Sequence, residues 1–142
     1  MAETSLQDAP APARVGGWLL VLCRLLIVFH PLSLAVTASS VMNALFLRGA
    51  PVAIVLLLRL SVVALGVAAG RMLQHVRPGA VEVARVALLA SAALDVFVYT
   101  TPYFPSNRMP GDTTFYVIAS LAYHGAWIAY LARSKRVRAT FG

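Results

Sequence analysis

The stretch that decides the fold runs from Pro51 to Leu73, PVAIVLLLRLSVVALGVAAGRML. A helix needs about 20 apolar residues to cross a bilayer core of about 30 Å. This run meets that length, with Arg59 its one charge before the last turn. Lipid offers no partner to open backbone groups, so a run of this kind is predicted to be a helix that satisfies its own amides.

Three further runs of similar character lie on either side of it, at about Val15 to Ala38, Val81 to Thr101 and Thr113 to Arg133. The predicted fold class is therefore an all-α membrane protein: four transmembrane helices in an antiparallel bundle. Residues 1–14 are small, polar and proline-rich, which predicts a short flexible tail with too little apolar area to order itself. Residues 15–133 form the transmembrane domain (spans 15–38, 51–73, 81–101 and 113–133), and residues 134–142 form a basic tail.

Composition supports this reading. Of 142 residues, 60% are hydrophobic and 12% charged, with a mean hydropathy of +0.79, whereas a soluble domain is roughly a quarter charged. Four spans with short links leave no length for a soluble domain. The first segment is too long for a cleaved signal peptide and lacks a small-x-small site after its apolar part, so it is expected to stay in the chain. Cys23 is the only cysteine, which rules out an intrachain disulfide and a cysteine metal cluster. The net charge of +7 does not point to nucleic acid, because the basic residues flank apolar spans and build no basic face interleaved with aromatics.

Those basic residues set the threading. Arg14, the link holding Arg71 and Arg77 with Arg85 just inside the next span, and the tail RSKRVR from Arg133 to Arg138 together carry eight of the twelve. The other two links carry only Arg48 and Arg108. The positive-inside bias places both termini and the middle link in the cytoplasm. The third link, TPYFPSNRMPGD (101–112), holds three prolines and reads as an ordered turn, with Asp112 or Thr113 placed to cap the fourth helix.

The start of the first segment, VGGWLLVLCRLLIVFHPLSL (15–34), and the end of the chain, AWIAYLARSKRVRATF (126–141), carry a family likeness. Gly16, Gly17, Trp18 and Leu19 at the front resemble the bacterial membrane family known as domain of unknown function 2569. So do Trp127, Tyr130, Ser134, Lys135, Arg136, Val137, Thr140 and Phe141 at the back. The resemblance implies a small multi-pass protein of the bacterial inner membrane with four spans. It implies no activity, and it assigns no role to the middle of the chain.

Five ionisable groups fall inside the spans: Arg24, His30, Arg59, Asp95 and His124. A charge at mid-bilayer costs about 2.5 to 3.5 kcal/mol on insertion scales, so each is expected to find a partner or water. At about 1.5 Å per residue, Arg59 is about 12 Å and Asp95 about 9 Å below the outer surface, with His30 in the same outer third. Ala87, Ser91 and Asp95 recur every four residues, and Arg59 shares a stripe with Gly66 and Gly70. Small residues at such spacing let helices approach. The expected arrangement is an Arg59–Asp95 ion pair between the third and second helices, with His30 a candidate third member. Gly66, Gly70, Ala87 and Ser91 are the expected packing residues.

The alternative is a polar path through His30, Arg59 and Asp95 in a small transporter or channel. A static pair is the commoner arrangement, because a carboxylate beside an arginine is a poor proton carrier. No inverted repeat or pair of broken helices is visible either. Haem ligation by His30 and His124 is disfavoured, because the same counting puts them about 8 Å and about 16 Å below one surface. His124 and Ser120, four apart, read instead as a satisfied core pair. Tyr116, Tyr123, Trp127 and Tyr130 make an aromatic stripe that suits a quinone surface, and that core packing and interfacial anchoring also explain. Pro31 is expected to kink the first helix after His30.

In the tail, Lys135, Arg136 and Arg138 are expected to face anionic lipid, at about 1 kcal/mol each. The expected partners are the lipid bilayer and other membrane subunits or a second copy, with no cofactor and no nucleic acid. The sequence thus favours a noncatalytic accessory or stabilising subunit of a larger membrane complex.

Overall fold

The computed structural model describes residues 15–102 and 111–142. The tail 1–14, Arg108 and most of the third link lie outside the described residues. Among the described residues there are helices and no strands. The first helix starts as α1 (Trp18–Arg24), widens into a π turn (Leu25–Phe29) and continues as α2 (His30–Arg48). Then follow α3 (Ala50–Gln74), α4 (Ala80–Thr100), α5 (Thr113–Arg133) and a short α6 (Lys135–Phe141).

The π turn has a local cause. Pro31 has no N–H to give, and its ring crowds the carbonyl four residues back, so a regular helix is strained there. The His30 N–H reaches Leu25 O, five residues back, and the helix widens instead of breaking. The kink expected after His30 thus takes the form of a bulge just before it.

The first helix also runs ten residues past Ala38, and the link to α3 shrinks to Gly49. Gly49 has φ 65° and ψ −137°, a conformation open only to a residue without Cβ. The α3–α4 link is tight as well. Val76 N–H bonds to Leu73 O and Arg77 N–H to Met72 O, closing α3 in a Schellman motif. The left-handed position of that motif is held by Val76 (φ 48°), where glycine is usual. Asp112 precedes α5 at its N-cap position, but its side chain makes no capping bond.

Three helical stretches are long and apolar enough to cross a membrane: Trp18–Met42, Ala50–Gln74 and Thr113–Arg133. Helix α4 is not one of them. It carries Glu82, Arg85 and Asp95 and packs against both α3 and α5. The helices stack in chain order, with α1 and α2 on α3, α3 on α4 and α4 on α5.

Two apolar clusters hold the stack. At one end, here the closed end, Leu19, Leu22, Leu26, Leu73, Leu88 and Leu131 join small residues of α3 and α4 and Val137 of α6, each almost without exposure. Trp18 and Trp127, with ring centroids 6.5 Å apart, bring α1 to α5 there. At the other, open end, Val41, Val52, Val55 and Val98 form a smaller cluster from α2, α3 and α4. Helix α5 adds no residue to it.

The small residues seat these contacts. A Cβ on Gly70 would lie 2.8 Å from Ile27 Cγ1 and 3.3 Å from Cys23 O, so the first helix rests directly on that backbone. Gly66 faces His30 Nδ1 at 3.7 Å from the same imagined atom. Ala87 is buried at the closed end, while Ser91 is half-buried between the two clusters. Gly66, Gly70 and Ala87 are therefore occupied within the chain and present no surface to another protein.

Candidate functional site

Between the two clusters the helices enclose a cavity of about 420 Å³, lined by residues of α2, α3, α4, α5 and the end of the π turn. No residue of the closed-end core lines it. Its rim includes Phe29, Ser33, Tyr116 and Ala119, all exposed, so it opens sideways between α2 and α5. This follows from the stacking, since α5 meets the first helix at Trp18 and Trp127 but takes no part in the cluster at the open end.

The expected ion pair is present. Arg59 Nη2 lies 3.3 Å from Asp95 Oδ1, with the two side chains 17% and 26% exposed. The contact uses one nitrogen and one oxygen, a looser arrangement than a bidentate fork. The second carboxylate oxygen is also engaged. Ser120 Oγ donates to Asp95 Oδ2 at 2.9 Å, which ties α5 into the α3–α4 pair.

The expected Ser120–His124 contact is present too. His124 Nδ1 is 3.3 Å from Ser120 Oγ and 2.8 Å from Ser120 O, and the ring is buried. A carbonyl oxygen can only accept, so Nδ1 carries a proton. The result is one chain of contacts, Arg59 to Asp95 to Ser120 to His124, across three helices. Two separate pairs were legible in the sequence; their connection through Ser120 was not.

Asp, Ser and His in one place invite comparison with a nucleophilic triad. The order is wrong for that chemistry. In a triad, histidine stands between serine and carboxylate and takes the serine proton. Here Ser120 stands in the middle, its proton is given to Asp95, and the nearer imidazole nitrogen is already a donor. Ser120 is held, not activated.

His30 lines the same cavity from α2, opposite His124, and rests on Gly66. It makes no hydrogen bond to Asp95 among the described residues, so it joins the site as a wall and not as a third member of the ion pair. The level difference of about 8 Å that argued against a shared site for His30 and His124 falls to about 4 Å when both are counted from the closed end, and both line one cavity. The levels read from the sequence mix a count from the inner end, for His30, with a count from the outer end, for His124, and the first helix starts at Trp18 instead of Val15. Counted from the closed end at about 1.5 Å per residue, Arg59 and Asp95 are about 22 Å up, His30 about 18 Å and His124 about 14 Å. No group of three or more His, Cys, Asp or Glu suited to a metal occurs among the described residues.

The aromatic stripe of α5 divides between the two regions. Tyr116 and Tyr123 line the cavity, while Trp127 and Tyr130 pack on the closed-end core. Tyr116 also meets Tyr99 of α4, centroids 5.8 Å apart. Arg24 is exposed on α1, away from the pair. The basic tail is helical. Ser134 Oγ accepts from Val137 N at 3.4 Å to start α6, Val137 is buried against the bundle, and Lys135, Arg136 and Arg138 stay exposed. No protein-family model, curated protein or solved structure matches the chain.

Proposed function

We propose that the chain is a noncatalytic, four-span integral protein of a bacterial inner membrane, with α4 as the fourth span and both termini cytoplasmic. In this reading it belongs with the family it resembles and acts by association, as an accessory or stabilising subunit of a larger membrane assembly. The observation that carries it is the contrast between a cavity with exposed rim residues and a tightly packed closed end. Leu22, Leu26, Leu73 and Leu88 at the closed end are at most 1% exposed and none of them lines the cavity, which supports a polar chain that stops short of that end. A transporter or channel path through His30, Arg59 and Asp95 would need to cross it. Ser120, bonded to Asp95 and next to a donor nitrogen, speaks against an enzyme. An ion pair 17% and 26% exposed, in a cavity that opens sideways, is costly at membrane depth unless something covers it, which favours a chain that binds over one that stands alone.

Purification in mild detergent, followed by reconstitution, tests this. Stoichiometric partner subunits without proton-linked flux are expected; a lone homo-oligomer that carries such flux overturns the reading. Threading is tested separately. Reporter fusions after Gly142 and in the link between Arg77 and Val81 should read as cytoplasmic, and fusions near Arg108 as the opposite side.

A further inference from the structure

The cavity has properties that narrow what could fill it. Its volume lies within the roughly 300 to 1,000 Å³ of small-molecule sites, which are mostly apolar with a few placed polar groups. Its one cation, Arg59, is matched by its one carboxylate, Asp95, and no other Lys or Arg lines it. A phosphate or carboxylate headgroup would find no surplus positive charge. Phe29, Tyr99, Tyr116 and Tyr123 supply flat walls.

Hydrogen-bonding capacity remains on two sides. With its Nδ1 proton given to Ser120 O, a neutral His124 presents Nε2 as an acceptor. That nitrogen has no partner among the described residues. Nor does the ring of His30, on the facing helix, which can donate from one nitrogen or accept at the other.

We propose that this cavity is a binding site for the ring head of a membrane-soluble quinone or quinol, admitted sideways between α2 and α5 and held between His30 and His124. A quinol hydroxyl can donate to His124 Nε2, and a quinone carbonyl can accept from an imidazole N–H on the other side. The uncharged ring suits a cavity whose own charges cancel, and its face suits the tyrosines. The prenyl tail stays in lipid. The inference is of binding alone. It rests on the membrane placement proposed above, and it gives the accessory subunit a ligand to hold for its assembly.

The test uses the full chain in nanodiscs of neutral phosphatidylcholine, titrated with a radiolabelled decyl benzoquinone. Saturable binding at one site per chain is expected. His30→Leu and His124→Leu should each weaken it about tenfold, as the loss of one hydrogen bond implies. Ala119→Trp, at the exposed rim, should block access and abolish binding while leaving the thermal midpoint unchanged, so loss of binding there cannot come from unfolding. Non-saturable uptake, equal affinity in all three variants, or displacement by anionic but not by neutral lipid would each overturn the proposal. The assay needs no partner subunit, and the fusions test placement on their own, so failure of the ligand and failure of the accessory reading are separable.

Discussion

The closed and open halves of the bundle are built from the same helices by different means. At the closed end, leucines and small residues leave almost no exposed side-chain surface, and a glycine lets two backbones meet. At the open end, four valines join three helices, and the fourth is held by Tyr99 against Tyr116 and by Ser120 on Asp95. Packing fixes the first half, and a short polar chain fixes the second. Dispersion contacts are non-directional and collectively strong, while a hydrogen-bonded chain is directional and weak in net terms. A cavity can persist beside the second kind of contact and not beside the first. The same difference explains why the polar groups gather in one cavity: they occupy the space that apolar packing does not fill.

The largest effect that would test this contrast comes from the ion pair. Removing one member of a fully buried pair costs about 3 to 5 kcal/mol. With both side chains partly exposed and a single contact at 3.3 Å, a smaller cost is expected here, roughly 2 to 3 kcal/mol. Asp95→Leu and Arg59→Leu should each lower stability in mild detergent by that amount. The double substitution should recover most of it, because two apolar residues leave no charge uncompensated. If the double variant is as unstable as the sum of the singles, the pair is not what joins α3 to α4.

The next effect compares two glycines one turn apart. Gly70→Ala places a methyl group against Ile27 and the Cys23 carbonyl, and overpacking of that kind costs about 1 to 3 kcal/mol. Gly66→Ala meets His30 and Leu26 only at ordinary contact distance, 3.7 Å. It should be neutral or slightly stabilising, since alanine favours a helix by up to about 1 kcal/mol. Equal losses at the two positions would mean that the open half is as tightly packed as the closed one.

Much of this was legible in the sequence, for physical reasons that also mark where legibility stopped. Hydropathy located the helices, with α5 running from Thr113 to Arg133 as expected. The four-residue and seven-residue steps put Asp95 and Arg59 on facing sides, because side-chain direction along a helix is set by its period. The end of α2 was not legible, since Ser39, Ser40 and Asn43 look like loop residues in water. In the helix, Ser39 Oγ donates to Ala35 O and Ser40 Oγ to Thr37 O, which satisfies the hydroxyls without a turn. Nor was the link through Ser120, because a hydroxyl that reaches a carboxylate twenty-five residues away leaves no periodic trace. A small polar residue four before a histidine, on the helix that follows the one carrying Asp95, was the available signal.

The smallest expected effect isolates that link. Ser120→Ala removes the donor to Asp95 Oδ2 but leaves the Ser120 main-chain carbonyl that holds His124 at 2.8 Å, so the imidazole keeps its place. Losing one hydrogen bond to a charged acceptor costs about 1.5 to 3 kcal/mol when the site is dry. Asp95 is about a quarter exposed, and water can replace part of the bond, so a loss of about 1 kcal/mol is expected. Ser61→Ala serves as the control. That hydroxyl donates to Leu57 O on an exposed helix face, and its loss should stay within about 0.5 kcal/mol. The decisive measurement is Ser120→Ala in the Asp95→Leu background. If Ser120 acts through Asp95, its effect should vanish there, because the acceptor is already gone. An undiminished loss would place the contribution of Ser120 in its own helix, and α5 would then be held to the open half by the tyrosines alone.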